Sequence, residues 1–297
     1  MFRHLSMICT LLALGVSAAP AADVAQASGN VSGAQIADRN VAARGGLQAW
    51  RAVQTMSLRG KLAAGGNQRA TLDMPGKNAA QKLVSSRPAE EVQLPFVMEL
   101  KRPRKMRFEL QFNGQTAVQV FDGVNGWKLR PFLNRRVVEA YTAEEMKIAS
   151  AQADLDGLLV DYAAKGTRVD LAGSETIEGR DTYKLKLTMR DGQTRFVWID
   201  SQDFLEVKIE GQPRRLDGVY HPVEIYFRDY RLVNGLQIPF GLETKVLPVA
   251  QTAAGLKDVP VPSEKTVIER VVINPRLDES RFSKPVIEVA SNTPNNK

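Results

Sequence analysis

The chain has 297 residues, with 40 Lys and Arg against 33 Asp and Glu, one Cys and two His. A single cysteine excludes an internal disulfide, and so few Cys and His exclude a zinc cluster, so the fold must rest on its core. The formal charge of +7 is dispersed along the sequence instead of gathered in blocks, which fits a solvated basic surface and no nucleic-acid partner.

The first 22 residues read as an address. Arg3 supplies a positive start, Met7 to Val16 an apolar run too short to span a membrane, and Ser17 to Ala22 a small-residue cleavage region near Ala18 to Ala22. Removing this leader also removes Cys9 and His4, leaving His221 as the sole imidazole. Cys9 lies inside the apolar run, so a lipid anchor is not expected. Residues 23–31 are small and polar and are expected to be disordered.

Order is expected from Ser32, which with Gln35 has capping-box spacing. Ile36 and Val41 carry a helix that Gly45-Gly46 ends, and Leu47, Trp50 and Val53 suit one further buried turn, with Trp50 as an anchor onto a sheet. From Thr55 the apolar period becomes two. Met106, Phe108, Leu110 and Phe112 alternate with polar residues up to Asn113-Gly114, the preferred dipeptide of a tight hairpin, and Thr116, Val118 and Val120 return. Tyr183, Leu185, Leu187 and Met189 make a second hairpin through Asp191-Gly192, and Phe204 to Glu210 follows after Ser201-Gln202-Asp203. A third joins 223–233 to 236–246 through Asn234-Gly235. With weaker candidates near 55–63, 67–73, 80–85, 90–100, 127–130, 167–173 and 265–273, the count is roughly eleven or twelve antiparallel strands.

Between the halves lies a helical insert over 142–164. Thr142 and Glu145 form its capping box, and Leu155, Leu158, Leu159 and Tyr162 fall on one helical face, which is expected to lie over the mouth of the sheet. The loop 247–263, with three prolines, is a candidate rim. A single domain over 32–285 and a disordered tail over 286–297 complete the plan.

Catalytic motifs are missing. The sequence holds no Gly-rich nucleotide loop, no Gly-x-Ser-x-Gly and no His-Glu-x-x-His. His221 precedes Pro222 and reads as structural. Asp154-Leu-Asp156-Gly157 begins like a calcium loop, but Lys165 stands where its last acidic ligand belongs. No catalytic residue, metal or cofactor is expected, and the chain reads as no enzyme.

Several segments then carry a resemblance: Gly45-Gly46-Leu47-x-x-Trp50, Pro103 to Glu109, Phe121-Asp122-Gly123-x-Asn125-Gly126-Trp127, Trp198-Ile199-Asp200 and Tyr230-Arg231-x-Val233-Asn234-Gly235-Leu236. The chain resembles exported proteins of the outer-membrane lipoprotein-sorting group, with the LolA/LolB-like fold, from about Ala34 to Phe282. That resemblance implies a mainly β (α+β) fold, a strongly curved antiparallel sheet or incomplete barrel with helices over its concave mouth. It also implies a cavity that takes acyl chains of lipid or lipoprotein. Phe108, Leu110, Phe112, Tyr183, Leu185, Trp198, Leu158 and Leu159 are the expected lining. The function expected is that of a monomeric periplasmic carrier, exchanging cargo with inner- or outer-membrane transport components. A stress-sensing domain on the same fold and a hydrolase are the alternatives, and the last lacks an assembled nucleophile.

Overall fold

Helix α1 (Gly33–Ala43) begins with the expected capping box, in which the Gln35 amide N–H donates to Ser32 Oγ at 3.2 Å and the Ser32 N–H to Gln35 Oε1 at 2.9 Å. The computed structural model describes residues 31–64, 91–131, 135–216, 219–249 and 262–286. The expected leader, the strands near 67–73 and 80–85, most of the loop 247–263 and all but the first residue of the tail lie outside them. After α2 (Leu47–Ala52) come β1 (Thr55–Ala64), β2 (Val92–Lys101), β3 (Lys105–Phe112), β4 (Gln115–Phe121), β5 (Gly126–Arg130) and β6 (Arg135–Ala140). Helix α3 (Ala143–Gln152) separates these from β7 (Arg168–Ile177), β8 (Arg180–Thr188), β9 (Thr194–Asp200) and β10 (Glu206–Glu210). The short β11 (Arg214–Leu216) and β12 (Val219–His221), then β13 (Val223–Val233), β14 (Leu236–Val246) and β15 (Glu264–Ile273) complete the strands, and a 3-10 turn spans Glu279–Phe282.

Among the described residues thirteen strands form one antiparallel sheet in the order β6-β5-β4-β3-β2-β1-β15-β14-β13-β10-β9-β8-β7, with β11 and β12 paired separately. The sheet is curved and does not close, as expected, although the strands outnumber the expected eleven or twelve. The additions are short pieces, β6, β11 and β12, whose pattern is too brief to show period two.

Turn chemistry explains the hairpins. Asn113 and Gly114 both take positive φ, 48° and 70°, as do Asn234 and Gly235 at 49° and 82°, the pair of values a type I′ turn demands. The Asp122-Gly123-x-Asn125-Gly126 segment is also a turn, since Asp122 Oδ1 accepts from the N–H groups of Val124 and Asn125 at 2.7 and 2.6 Å. Gly126 is needed for packing there: a Cβ would meet the Tyr141 ring at 1.9 Å.

The helical insert is shorter than expected. Helix α3 caps as predicted, with Thr142 Oγ1 accepting from Glu145 N–H at 3.2 Å, but it ends at Gln152. Residues 154–166 are successive turns, because Gly157, Asp161 and Gly166 all take positive φ. The turns are fixed by ion pairs: Lys165 Nζ to Asp154 at 2.7 Å, Arg102 to Asp156 at 2.5 Å, and Arg51 to Asp161 at 2.6 Å. Leu155, Leu159 and Val160 are buried without a helix to carry them.

The core lies on the face of the sheet that carries the helices. Met56, Phe96, Leu100, Met106, Phe121, Leu236, Ile238, Phe240 and Ile268 from the strands close on Trp50 and Val53 of the α2 region and on Ala149, Ala153 and Leu155 of the α3 region. Trp50 is the anchor: its Nε1 donates to Arg44 O at 3.1 Å, and the Arg44 guanidinium lies 4.3 Å from its ring centroid. Helix α1 packs along β7 and β8. Among the described residues no helix is long and apolar enough to cross a membrane.

The opposite, outer face carries a charged ladder. Lys184, Trp198, Lys208, Tyr226, Glu243 and Lys265 are successive cross-strand partners from β8 to β15. Glu178 accepts from Arg228 at 2.7 Å, and Glu243 accepts from the same guanidinium at 2.6 Å. The Arg228 hydrogen bond holds the Glu178 carboxyl below its usual range, and the Lys184 hydrogen bond does so for Glu175. A depressed carboxylate contributes stability in full above its unfolded pKa of about 4.3 and loses it as pH falls through the lower folded value. A Glu178→Gln variant should therefore melt below the wild type at pH 7, and the gap should narrow as the pH falls below the ordinary carboxylate range. A gap of constant size across a thermal-melt pH series would contradict this linkage.

Candidate ligand-binding site

Cross-strand partners in an antiparallel sheet point to the same face, so the registers trace which side chains share the inner surface. One row runs Leu171, Leu185, Val197, Ile209, Ile225, Thr244 and Glu264 across β7 to β15. The adjoining row runs Phe227, Leu242, Thr266, Leu62 and Leu94 across β13 to β2. The next inner positions, Gly60, Phe96, Leu110 and Ala117, reach β4. Gly60 allows this, since a Cβ would meet Val267 O at 2.1 Å and the Phe96 ring at 3.0 Å. At one end the inner positions are closed by the helices. Toward the other, Ile209, Ile225, Leu242, Leu62, Leu94, Met98, Phe108 and Leu110 are only half-buried. These form an apolar trough with incomplete cover.

The expected lining residues divide into groups. Phe108, Leu110 and Phe112 stand together on the inner face of β3; the first two pack against the core from its open side, and Phe108 stacks on Phe96 with ring centroids 5.7 Å apart. Phe112 lines a surface groove of about 530 Å³ with Val92, Leu94 and Pro95. Tyr183 and Leu185 share the inner face farther along, but Leu185 is 0 % exposed and Tyr183 stacks on Phe204 at 6.2 Å, where Asn40 of α1 donates to Phe204 O at 2.8 Å. Leu158 is half-buried, and Leu159 is sealed from solvent. Leu159 borders a separate hollow of about 540 Å³ with Val41, Leu47, Tyr162 and the Arg51–Asp161 pair.

Trp198 stands apart from all of these. Its partner on β8 is Lys184, not Leu185, which sets it on the outer face. It is nevertheless only 4 % exposed, because Lys208 Nζ lies 3.9 Å from its ring centroid and its Nε1 donates to Glu175 at 2.7 Å. Sequence reasoning missed Leu62, Leu94, Ile209, Ile225 and Leu242 as trough residues. The alternation of Leu236, Ile238, Phe240 and Leu242 was a usable signal for the last of them.

Polar groups on the inner face are paired near the closed end. Lys128, an inner position of β5, donates to both oxygens of Glu145 of α3 at 2.5 Å. Burial alone would raise the Glu145 pKa, but the Lys128 hydrogen bond and the Thr142 N–H outweigh it and hold it low. Arg44 and Glu206 meet at 3.2 Å, and Tyr230 Oη donates to Glu206 at 3.1 Å; burial, followed by the Glu206 charge, pushes the Tyr230 hydroxyl well above its ordinary range. His221 is 0 % exposed, with Nδ1 3.1 Å from Leu247 O, in a position closed to substrate. Among the described residues no group of three or more His, Cys, Asp or Glu could hold a metal ion. The arrangement offers apolar contact along a trough.

No family model matches the sequence, and no curated protein matches it. Solved structures do. A LolA superfamily protein from Nitrosomonas europaea is 12 % identical, with 86 % of this chain and 98 % of that one covered and a TM-score of 0.52. A domain assigned to outer membrane lipoprotein sorting, from Vibrio parahaemolyticus, is 14 % identical over 85 % and 96 % of the two chains, with a TM-score of 0.49. A DUF1329 family protein from Desulfovibrio piger is 12 % identical over 84 % and 95 %, also at 0.49. The open antiparallel sheet with its helices on one face is the LolA/LolB-like fold.

Proposed function

We propose that the chain is an exported, periplasmic carrier, acting as a monomer, that takes acyl chains of a lipid or lipoprotein into the inner-face trough and does no covalent chemistry. The single observation behind this reading is the half-buried apolar row from Ile209 and Ile225 through Leu242, Leu62 and Leu94 to Leu110 on a sheet that does not close. Apolar surface of this kind, interrupted only by Thr266 between Leu242 and Leu62, is stable in water when something covers or fills it. A flexible hydrocarbon chain matches its shape, and each buried methylene contributes about 0.8 kcal/mol. The leader expected over residues 1–22 would direct export, and cargo would pass between inner- and outer-membrane transport components.

Native mass spectrometry of the protein purified from its own envelope tests the reading. The expected result is a mass increment that organic extraction releases as lipid. A bound peptide would instead support a sensing role, and protein free of ligand in every preparation would contradict the carrier.

A further inference from the structure

Among the inner-face side chains of β9, one breaks the apolar pattern. Arg195 pairs with Leu187 of β8, which is fully buried, and precedes Val197, also fully buried, by one inner position. Arg195 is half-buried and sits toward the open end of β9, the strand next to that of the half-buried Ile209. The nearest carboxylates are turned elsewhere: Asp191 accepts from the Gln193 N–H at 3.0 Å and from its side-chain amide at 2.9 Å, and Glu210 accepts from the Phe196 N–H at 3.0 Å. Both act on Arg195 through charge alone, and among the described residues neither contacts its guanidinium. Burial pulls the guanidinium pKa down from its usual value, against the opposing charges of Glu210 and Asp191, yet arginine stays charged throughout the physiological range.

A half-buried cation beside apolar side chains, without a contacting counterion, loses hydration that the charges of Glu210 and Asp191 offset only in part. An oxyanion would supply the missing partner, and the guanidinium fork matches a carboxylate or phosphate in two hydrogen bonds. We propose that Arg195 anchors the oxyanion headgroup of the bound amphiphile, whose acyl chain runs from it along the trough. This rests on the acyl-carrier reading above and adds a charge requirement to it. The ligand is then an acyl chain ending in a carboxylate or phosphate, and uncharged acyl esters are poorer cargo.

The test is displacement of a neutral fluorescent monoacylglycerol by two pairs of competitors: myristate against methyl myristate, and myristoyl lysophosphatidic acid against monomyristoylglycerol. The wild type should prefer the anionic member of each pair by about tenfold or more, the usual worth of a charge-assisted hydrogen bond. Arg195→Gln should bring that preference close to unity while leaving affinity for the neutral members unchanged, and Arg195→Lys should keep part of it. Inorganic phosphate should displace nothing at the same concentration.

A preference that survives in Arg195→Gln overturns the anchor and leaves the carrier standing. Equal loss of anionic and neutral binding together with a lower melting temperature overturns it too, since Arg195 would then be structural. Displacement by inorganic phosphate alone would detach the anion site from the trough. If the wild type takes up no acyl competitor, the carrier reading itself fails, and the anchor with it.

Discussion

An Arg102→Met variant is expected to lose about 3–5 kcal/mol of stability, the cost of leaving a buried carboxylate without its partner. Asp156 holds Arg102 through two hydrogen bonds of 2.8 and 2.5 Å, and its side chain is only 7 % exposed. The same guanidinium donates to Val53 O at 2.6 Å and Trp50 O at 3.0 Å, so its removal also strips two carbonyls at the end of α2. For a domain of this size the loss corresponds to a fall in melting temperature of about 10 °C. The double variant Arg102→Met/Asp156→Leu should recover much of it, because no charge is then stranded. Denaturant titration decides: a loss below about 1 kcal/mol in the single variant would mean that water reaches Asp156 and that the pair does not fix the 154–166 turns.

The second expected effect separates trough from core. Leu110→Trp should lower uptake of an acyl probe by about tenfold or more with little change in stability, because Leu110 is only half-buried and a larger ring there would cover the inner face that the acyl chain needs. Leu185→Trp should do the reverse, costing about 1–3 kcal/mol through overpacking at a site with no free volume while leaving uptake unchanged. Trp198→Leu, on the outer face, should likewise lower stability alone, by removing the contacts with Lys208 and Glu175. Blocked uptake in Leu185→Trp combined with normal uptake in Leu110→Trp would relocate the site to the α1 side of the sheet.

These contrasts show where the sequence was legible. Both capping boxes, the Asn113-Gly114 and Asn234-Gly235 hairpins and the inward set on β3 follow from local rules that involve only neighbouring residues, and each is present. The turn at Glu178-Gly179, with φ of 52° and 82°, completes the set but lacks the usual Asn or Asp. Two features depend on distant parts of the chain and were misread. Leu155, Leu158, Leu159 and Tyr162 have helical spacing, yet the partners that bury them are reached by turns, and Gly157 and Gly166 were the signals against a helix. Trp198 was placed with Leu185 because alternation sorts a strand into two faces without relating them to the next strand. That relation is set by the five residues between Thr188 and Thr194, which pair Leu185 with Val197 and Lys184 with Trp198. The inner-face position of Arg195 was hidden for the same reason.

A crystal structure of the protein with a terminally brominated fatty acid tests the central claim most directly, because the anomalous signal of bromine locates the chain without interpretation of weak density. The account predicts bromine within contact distance of Leu62, Leu94 or Leu110 on the inner face. Bromine in the separate hollow between Val41, Leu47 and Leu159, on the outer face beside Trp198, or nowhere in the molecule would contradict it.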